Sequence, residues 1–336
     1  MCGRYFSLYI DAFNFCQQNS HPEHYSHFFH FQEFILDLLS EGWKIKATIK
    51  GPSSDWHCDA LVCLDIPENF KASKETIASH TSIDQRILVC IENPLLLEKV
   101  YRVFDGFFGT VVSPTTSQRT LGKKYIQSET SYFYRHFPNV GTLPAGRERK
   151  LCALMASNLR GDRKLYTYAL RRSCIQIFSK ILGDDFSWFG RGWNRPRKGN
   201  IRSINSELES IDELSWARYK GSPTTKSVLS SFKLGLAIEN TTCVPGYTSE
   251  KALDIIGLGC VPVYVGTKVD NYLSRFIEVC DPDVMSIVSR VSRDSDLTED
   301  ELCQQSSELR RRITNYFSNK PSGTSLGVLR FELTRL

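Results

Sequence analysis

The sequence holds no run of about 18 uncharged apolar residues, the length a helix needs to cross a bilayer, so no membrane-spanning helix is expected. Its start, MCGRYFSLYIDAF, carries one early arginine and an apolar stretch broken by Asp11, which is a poor secretory leader. A cytoplasmic protein is the expectation. No C-x-x-C pair occurs among the 11 cysteines, and Cys63, Cys90, Cys152 and Cys260 lie inside apolar runs. Buried free thiols in a reducing compartment suit that usage better than a disulfide framework. There is no internal repeat and no low-complexity segment. No basic stripe is interleaved with aromatics, so nucleic acid is not an expected partner. The net charge of +5 is modest and dispersed, and suits a small anionic substrate or an anionic membrane surface. Arg310, Arg311 and Arg312 cluster in the helix expected over 298–317, either as a solvated face or as a weak peripheral membrane contact.

What the sequence does contain is organised around residues 231–267. Residues 234–238 are an apolar run too short for a helix and long enough for a buried strand. Ala252, Ile255, Ile256 and Gly259 recur at helical spacing, and Gly257 and Gly259 close that helix. Residues 260–265 form a second apolar, valine-rich run that suits a strand buried on both faces. Two strands joined by one helix run parallel. The polar residues gather at one end: Glu239 and Asn240 end the first strand, 241–246 is a turn-rich loop, and residues 247–251 open the helix. Ligands of open α/β sheets bind beyond the carboxyl ends of the strands, and a helix start favours an anion. This loop is therefore a seat for a phosphate bearing a sugar, with Lys251 to meet the charge and Glu250 to accept from sugar hydroxyls. A plain βαβ unit with ordinary capping residues is the alternative.

The run FKLGLAIEN, then GYTSEK, then GCVPVYVG resembles the donor-binding motif of the α-1,3-fucosyltransferase family, with Glu239, Asn240, Tyr247, Glu250, Lys251, Pro262 and Gly266 at the matching places. The family carries threonine directly before its E-K pair; Ser249 stands there in this chain, with Thr248 before it. The resemblance covers about 150–277 well, 87–112 weakly, and little before residue 87. It implies an α/β protein of GT-B type, with two Rossmann-like doubly wound domains facing across a cleft. Residues 1–146 would form the acceptor-side domain, 147–318 the nucleotide-sugar donor-binding domain, and 319–336 a tail. The implied reaction is inverting transfer of L-fucose from GDP-fucose to a glycan hydroxyl, in α-1,3 linkage to N-acetylglucosamine or glucose. No cofactor and no catalytic metal are implied, because lysine and arginine neutralise the leaving diphosphate. Asp281-Pro282-Asp283 is a D-x-D triplet, but in a loop outside the donor unit.

The remaining candidates follow the chain. His21, His24, His27 and His30 recur at steps of three, as partial metal ligands or as the edge of an aromatic helix face. A helix over 31–39 and strands over 43–49, 60–64 and 87–91 suggest a first doubly wound domain. The strand RILVCI ends in Glu92-Asn93-Pro94. By resemblance Glu92 is the candidate general base, with Asp65 at the end of LVCLD as its rival and a simple turn before Pro94 as the structural alternative. Residues 113–127 read as a polar loop facing the acceptor, 132–136 as an aromatic and basic run, and 137–149 as a Pro/Gly linker. In the second domain a strand over 150–156 leads to Ser157 and Asn158, which resemble the family's second donor element. Arg163 is the phosphate candidate there, with Arg160 and Lys164 near it. Gly190-Arg191-Gly192-Trp193 lets the backbone approach either a neighbouring loop or a ligand. The alternatives to fucosyl transfer are a related glycosyltransferase using another nucleotide sugar, and a non-catalytic glycan- or nucleotide-sugar-binding homologue.

Overall fold

The computed structural model describes residues 5–9, 27–48, 59–65, 70–91, 94–95, 101–129, 148–159, 164–193, 211–223, 226–319 and 325–334. The first part of the chain contributes β1 (Tyr5–Tyr9), α1 (His27–Ser40), β2 (Lys44–Thr48), β3 (Ala60–Leu64), α2 (Phe70–His80), β4 (Arg86–Val89), β5 (Phe108–Ser113) and β6 (Gly122–Gln127). The second contributes β7 (Lys150–Met155), α3 (Tyr168–Ile181), β8 (Phe186–Phe189), α4 (Glu213–Ala217), β9 (Phe232–Ile238), α5 (Lys251–Gly257), β10 (Val261–Val265), α6 (Val284–Ser295), α7 (Glu299–Asn319) and α8 (Ser325–Thr334).

Both sheets are parallel throughout. The first has the order β2-β1-β3-β4-β5-β6 and the second β10-β9-β7-β8. Each begins in its interior, adds one neighbour on one side, then crosses to the other. That reversal makes a topological switch point between β1 and β3 and another between β7 and β9, and the crevice outside the carboxyl ends at such a point is where this architecture holds ligands. Strands β3, β5 and β10 are buried along their whole length because both of their faces are covered. Leu61 and Cys63 pack with Ile77, Phe104 and Phe108 on one side, while Val62 and Leu64 pack with Phe34 and Leu38 on the other. In the second sheet, Leu234, Leu236 and Ile238 face a core shared with Phe178 and Trp188, and Ala237 and Tyr264 face α5.

The two halves share one core, in which Val328, Leu329 and Leu333 of α8 join Val112 of the first sheet and Ile313 and Phe317 of α7. Residues 325–334 are thus an ordered helix, not the loose tail expected, held because three apolar side chains are buried. Residues 122–127, expected as loop, are β6. This edge strand buries little, and its Lys123 and Lys124 are exposed, as suits a sheet edge. Beyond β10 a single parallel bridge joins Tyr264 to Val279. Helix α2 had no expectation; between residues 74 and 80 its only buried side chain is Ile77. The linker expected at 137–149, apart from residues 148 and 149, and the run 132–136 lie outside the described residues, as do His21 and His24; His27 and His30 lie on α1. Among the described residues no helix is long and apolar enough to cross a membrane. Of the basic cluster on α7, Arg311 pairs with Glu308 at 2.7 Å and Arg312 lies over the Phe276 ring.

Candidate functional site

The switch point of the second sheet brings together the end of β7, with Ser157 and Asn158, and the end of β9, with Glu239 and Asn240. Two consecutive arginines of α3, which the sequence reading did not single out, reach these two strand ends. Neighbours on a helix point about 100° apart, so each addresses a different strand. Arg171 is 1% exposed and donates from Nη2 to the carbonyl of Ile238 at 2.7 Å and to Asn240 Oδ1 at 2.8 Å. Arg172 donates to Asn158 Oδ1 at 3.4 Å and to the Leu159 carbonyl at 3.5 Å. Burial pulls the Arg171 guanidinium below its ordinary value, while Tyr168, Glu239, Tyr247 and Glu250 pull the other way. Its sequence signal is faint: an Arg-Arg pair one turn into a helix that follows a buried strand.

Asn158 is a brace. Its N–H donates to the Arg191 carbonyl at 2.9 Å, and its Nδ2 donates to the Gly192 carbonyl at 3.1 Å. Gly190 and Gly192 serve this approach. At Gly190, with φ of 140°, an added Cβ would meet the Ala156 carbonyl oxygen at 1.9 Å. The partner of this glycine pair is therefore the end of β7. Arg191 and Ser157 are exposed beside it.

Glu239 turns inward. It is fully buried, and Oε1 accepts from the Ser249 N–H at 2.6 Å. Lys251 Nζ lies 3.4 Å from its Oε2 and donates to Ser249 Oγ at 2.8 Å. Tyr264 OH lies 3.4 Å from Oε1 and accepts from Asn271 Nδ2 at 3.2 Å. Burial pushes the Tyr264 hydroxyl up, and Glu239 adds to this. The Glu239 carboxylate thus fastens the loop after β9, α5 and β10 together from inside. Tyr247 is also buried, at 2% exposure. The helix start is also partly spent. The structure begins α5 at Lys251, whose N–H lies 3.3 Å from Ser249 Oγ. Two of the N–H groups expected to cradle an anion there already have internal acceptors.

Glu250 pairs with Lys226 at 3.2 Å, and Lys226 also binds the buried Asp254. The loop is fixed from two further sides. Thr167 Oγ1 donates to the Glu239 carbonyl and Thr167 N–H to the Asn240 carbonyl, while Cys243 Sγ lies 3.3 Å from the Lys164 carbonyl. Gly246, with φ of 76°, seats the loop against the first sheet: an added Cβ would stand 2.3 Å from the Pro114 carbonyl oxygen, just beyond β5. Carboxyl ends of strands from both sheets therefore meet here.

Glu92 lies outside the described residues, as do Arg160 and Arg163. Its rival Asp65 has φ of 56° and spends Oδ1 on the Ile91 N–H at 2.7 Å and on Tyr101 OH at 3.1 Å. A carboxylate so engaged braces the end of β4. Asp283 caps α6 by accepting from Ser286 N–H at 2.9 Å, and Asp281 pairs with Lys268 at 2.6 Å, so both acids of the D-x-D triplet have local structural roles. Among the described residues no group of three or more His, Cys, Asp or Glu is placed to hold a metal ion.

Two parallel sheets of this order, with their carboxyl ends meeting, define an α/β fold of GT-B type. No protein-family model matches the sequence, and no curated protein matches it. Among solved structures, the N-terminal domain of Candida albicans trehalose-6-phosphate phosphatase is similar over 99% of this chain and 97% of its own, at 9% identity and a TM-score of 0.52. AviGT4, a glycosyltransferase involved in Avilamycin A biosynthesis, matches over 94% and 96% at 11% identity and a TM-score of 0.47. An α1,3-fucosyltransferase matches over 92% and 81% at 12% identity and a TM-score of 0.45. At these identities the likeness is one of fold.

Proposed function

We propose that the chain is an inverting glycosyltransferase that moves L-fucose from GDP-fucose to a hydroxyl of a glycan containing N-acetylglucosamine or glucose, in α-1,3 linkage. The observation that carries the reading is the convergence, at the switch point of the second sheet, of Asn240 and Asn158 with the paired arginines of α3. Backed by that cationic helix, the crevice suits the diphosphate of a nucleotide sugar. The sequence motif from FKLGLAIEN to GCVPVYVG supplies the fucose assignment.

In this reading the donor lies across the ends of β7 and β9. Ser157 and Asn240 border it, and Glu250 takes sugar or ribose hydroxyls. Arg172, Lys251 and the cations of 160–164 balance the leaving diphosphate without a metal ion. Arg191 borders the site from the end of β8. Glu92, the candidate base that follows the run RILVCI, removes the proton from the acceptor hydroxyl. The acceptor oxygen then bonds to the anomeric carbon while the bond to the diphosphate oxygen breaks and GDP leaves with the electron pair from the opposite face. Glu239 and Tyr247, both buried, shape the loop on which the donor rests.

The test is turnover of GDP-fucose with an N-acetylglucosamine-containing acceptor, with and without a chelator, and the product linkage read by NMR. GDP release coupled to an inverted, α-linked fucoside, unaffected by the chelator, is the expected result. Transfer only from another nucleotide sugar would refute the fucose assignment, and donor binding without transfer would refute catalysis.

A further inference from the structure

The two strand-end amides that flank the crevice are held differently. Asn158 uses both ends internally: Oδ1 takes Arg172 and Nδ2 gives to Gly192. Asn240 is engaged at Oδ1 only, and no described residue accepts from its Nδ2. The group that holds it is a guanidinium, which donates and never accepts. The oxygen of Asn240 must therefore face Arg171. Arg171 cannot turn away, because it is 1% exposed and also holds the Ile238 carbonyl at 2.7 Å. Its Nε–H is buried with no hydrogen-bond partner among the described residues, and the guanidinium lies directly behind the Asn240 amide.

From this geometry we infer that Arg171 is a positioning residue. By pinning Asn240 Oδ1 inward, it turns the NH2 group to the crevice and makes Asn240 an obligate donor toward a phosphate oxygen of a nucleoside diphosphate. The inference rests on the donor-site reading above and adds the element that sets the polarity of that contact. A freely rotating asparagine would offer either end, and so would tolerate a ligand donor as readily as an acceptor. The fixed amide, with a cation behind it, accepts only oxygen lone pairs.

The experiment is calorimetric binding of GDP and of guanosine to the wild type, N240D and R171M, with the melting temperature of each. The carboxylate that N240D introduces keeps the bond from Arg171, so the melting temperature holds, but it turns its second oxygen to the phosphate. GDP affinity then falls by about tenfold or more while guanosine affinity stays, since the lost contact is one charge-assisted bond. R171M frees the amide and shows the same split between GDP and guanosine wherever it folds. An unchanged GDP affinity in N240D, or equal losses for GDP and guanosine, overturns the role of Arg171 and leaves the donor-site reading in place. Failure of the wild type to bind any nucleotide overturns that reading, and this inference with it.

Discussion

Replacing Lys251 by methionine removes the counter-ion of a carboxylate that has no access to water. Glu239 is fully buried and Lys251 stands 3.4 Å from it, itself 17% exposed at the side chain. Removing one partner of a buried pair costs about 3–5 kcal/mol, because the remaining charge is left uncompensated. Glu239 keeps the Ser249 N–H at 2.6 Å, which places the cost at the low end, about 3 kcal/mol. For a chain of 336 residues that lowers the melting temperature by about 4 °C. Glu239→Gln removes the stranded charge while retaining an acceptor for Ser249, so the double variant K251M/E239Q recovers to within about 1 kcal/mol of the wild type. Urea unfolding of the two single variants and the double variant measures the coupling. A K251M variant within about 0.5 kcal/mol of the wild type would refute the ion pair as a support of the loop. GDP binding to the double variant then separates the two roles of Lys251. If its ammonium also meets the diphosphate, affinity stays low although stability has returned; recovery of both shows a purely structural lysine.

Glu92→Gln is expected to keep GDP affinity and to lower turnover by roughly a hundredfold or more, read by steady-state GDP release; near-normal turnover moves the base elsewhere. Gly246→Ala forces a side chain into the left-handed region and against the Pro114 carbonyl. A loss of about 2 kcal/mol or more in unfolding, together with weaker GDP binding, is expected, and unchanged values would show that the loop does not need its seat on the first sheet. Native-state alkylation followed by peptide mass mapping should label Cys243, the exposed thiol in the loop after β9, before Cys174 and Cys260, whose thiols burial pushes up to about 12. Bound GDP should slow labelling at Cys243, and indifference to GDP would place the nucleotide away from that loop.

The strands that organise the molecule were legible because they are buried on both faces. ALVCL at β3 and the valine-rich β10 read as unbroken apolar runs, and their turn residues sit where the chain reverses. What was not legible has little apolar signal of its own. β6 is an edge strand of sequence GKKYIQ, and α8 gains its order only from docking on a core supplied by distant elements. The site shows the same division. That Glu239 and Asn240 end a strand beside a loop was readable from the run FKLGLAIEN, but the direction of each side chain was not. Glu239 turns inward to Ser249 and Lys251, whereas Asn240 takes Arg171 at its Oδ1. Arg171 and Arg172 escaped because a charged pair on a helix usually marks a solvated face, and only the strand order shows that this helix leans on the switch point.

The most direct test of nucleotide-sugar binding at the ends of β7 and β9 is a calorimetric panel of GDP, UDP, CMP and their sugars on the purified wild-type chain, without added metal. Selective binding of GDP and GDP-fucose is the expected result. Selective binding of UDP or CMP would contradict the fucose donor, and binding of none of them would contradict the donor site itself.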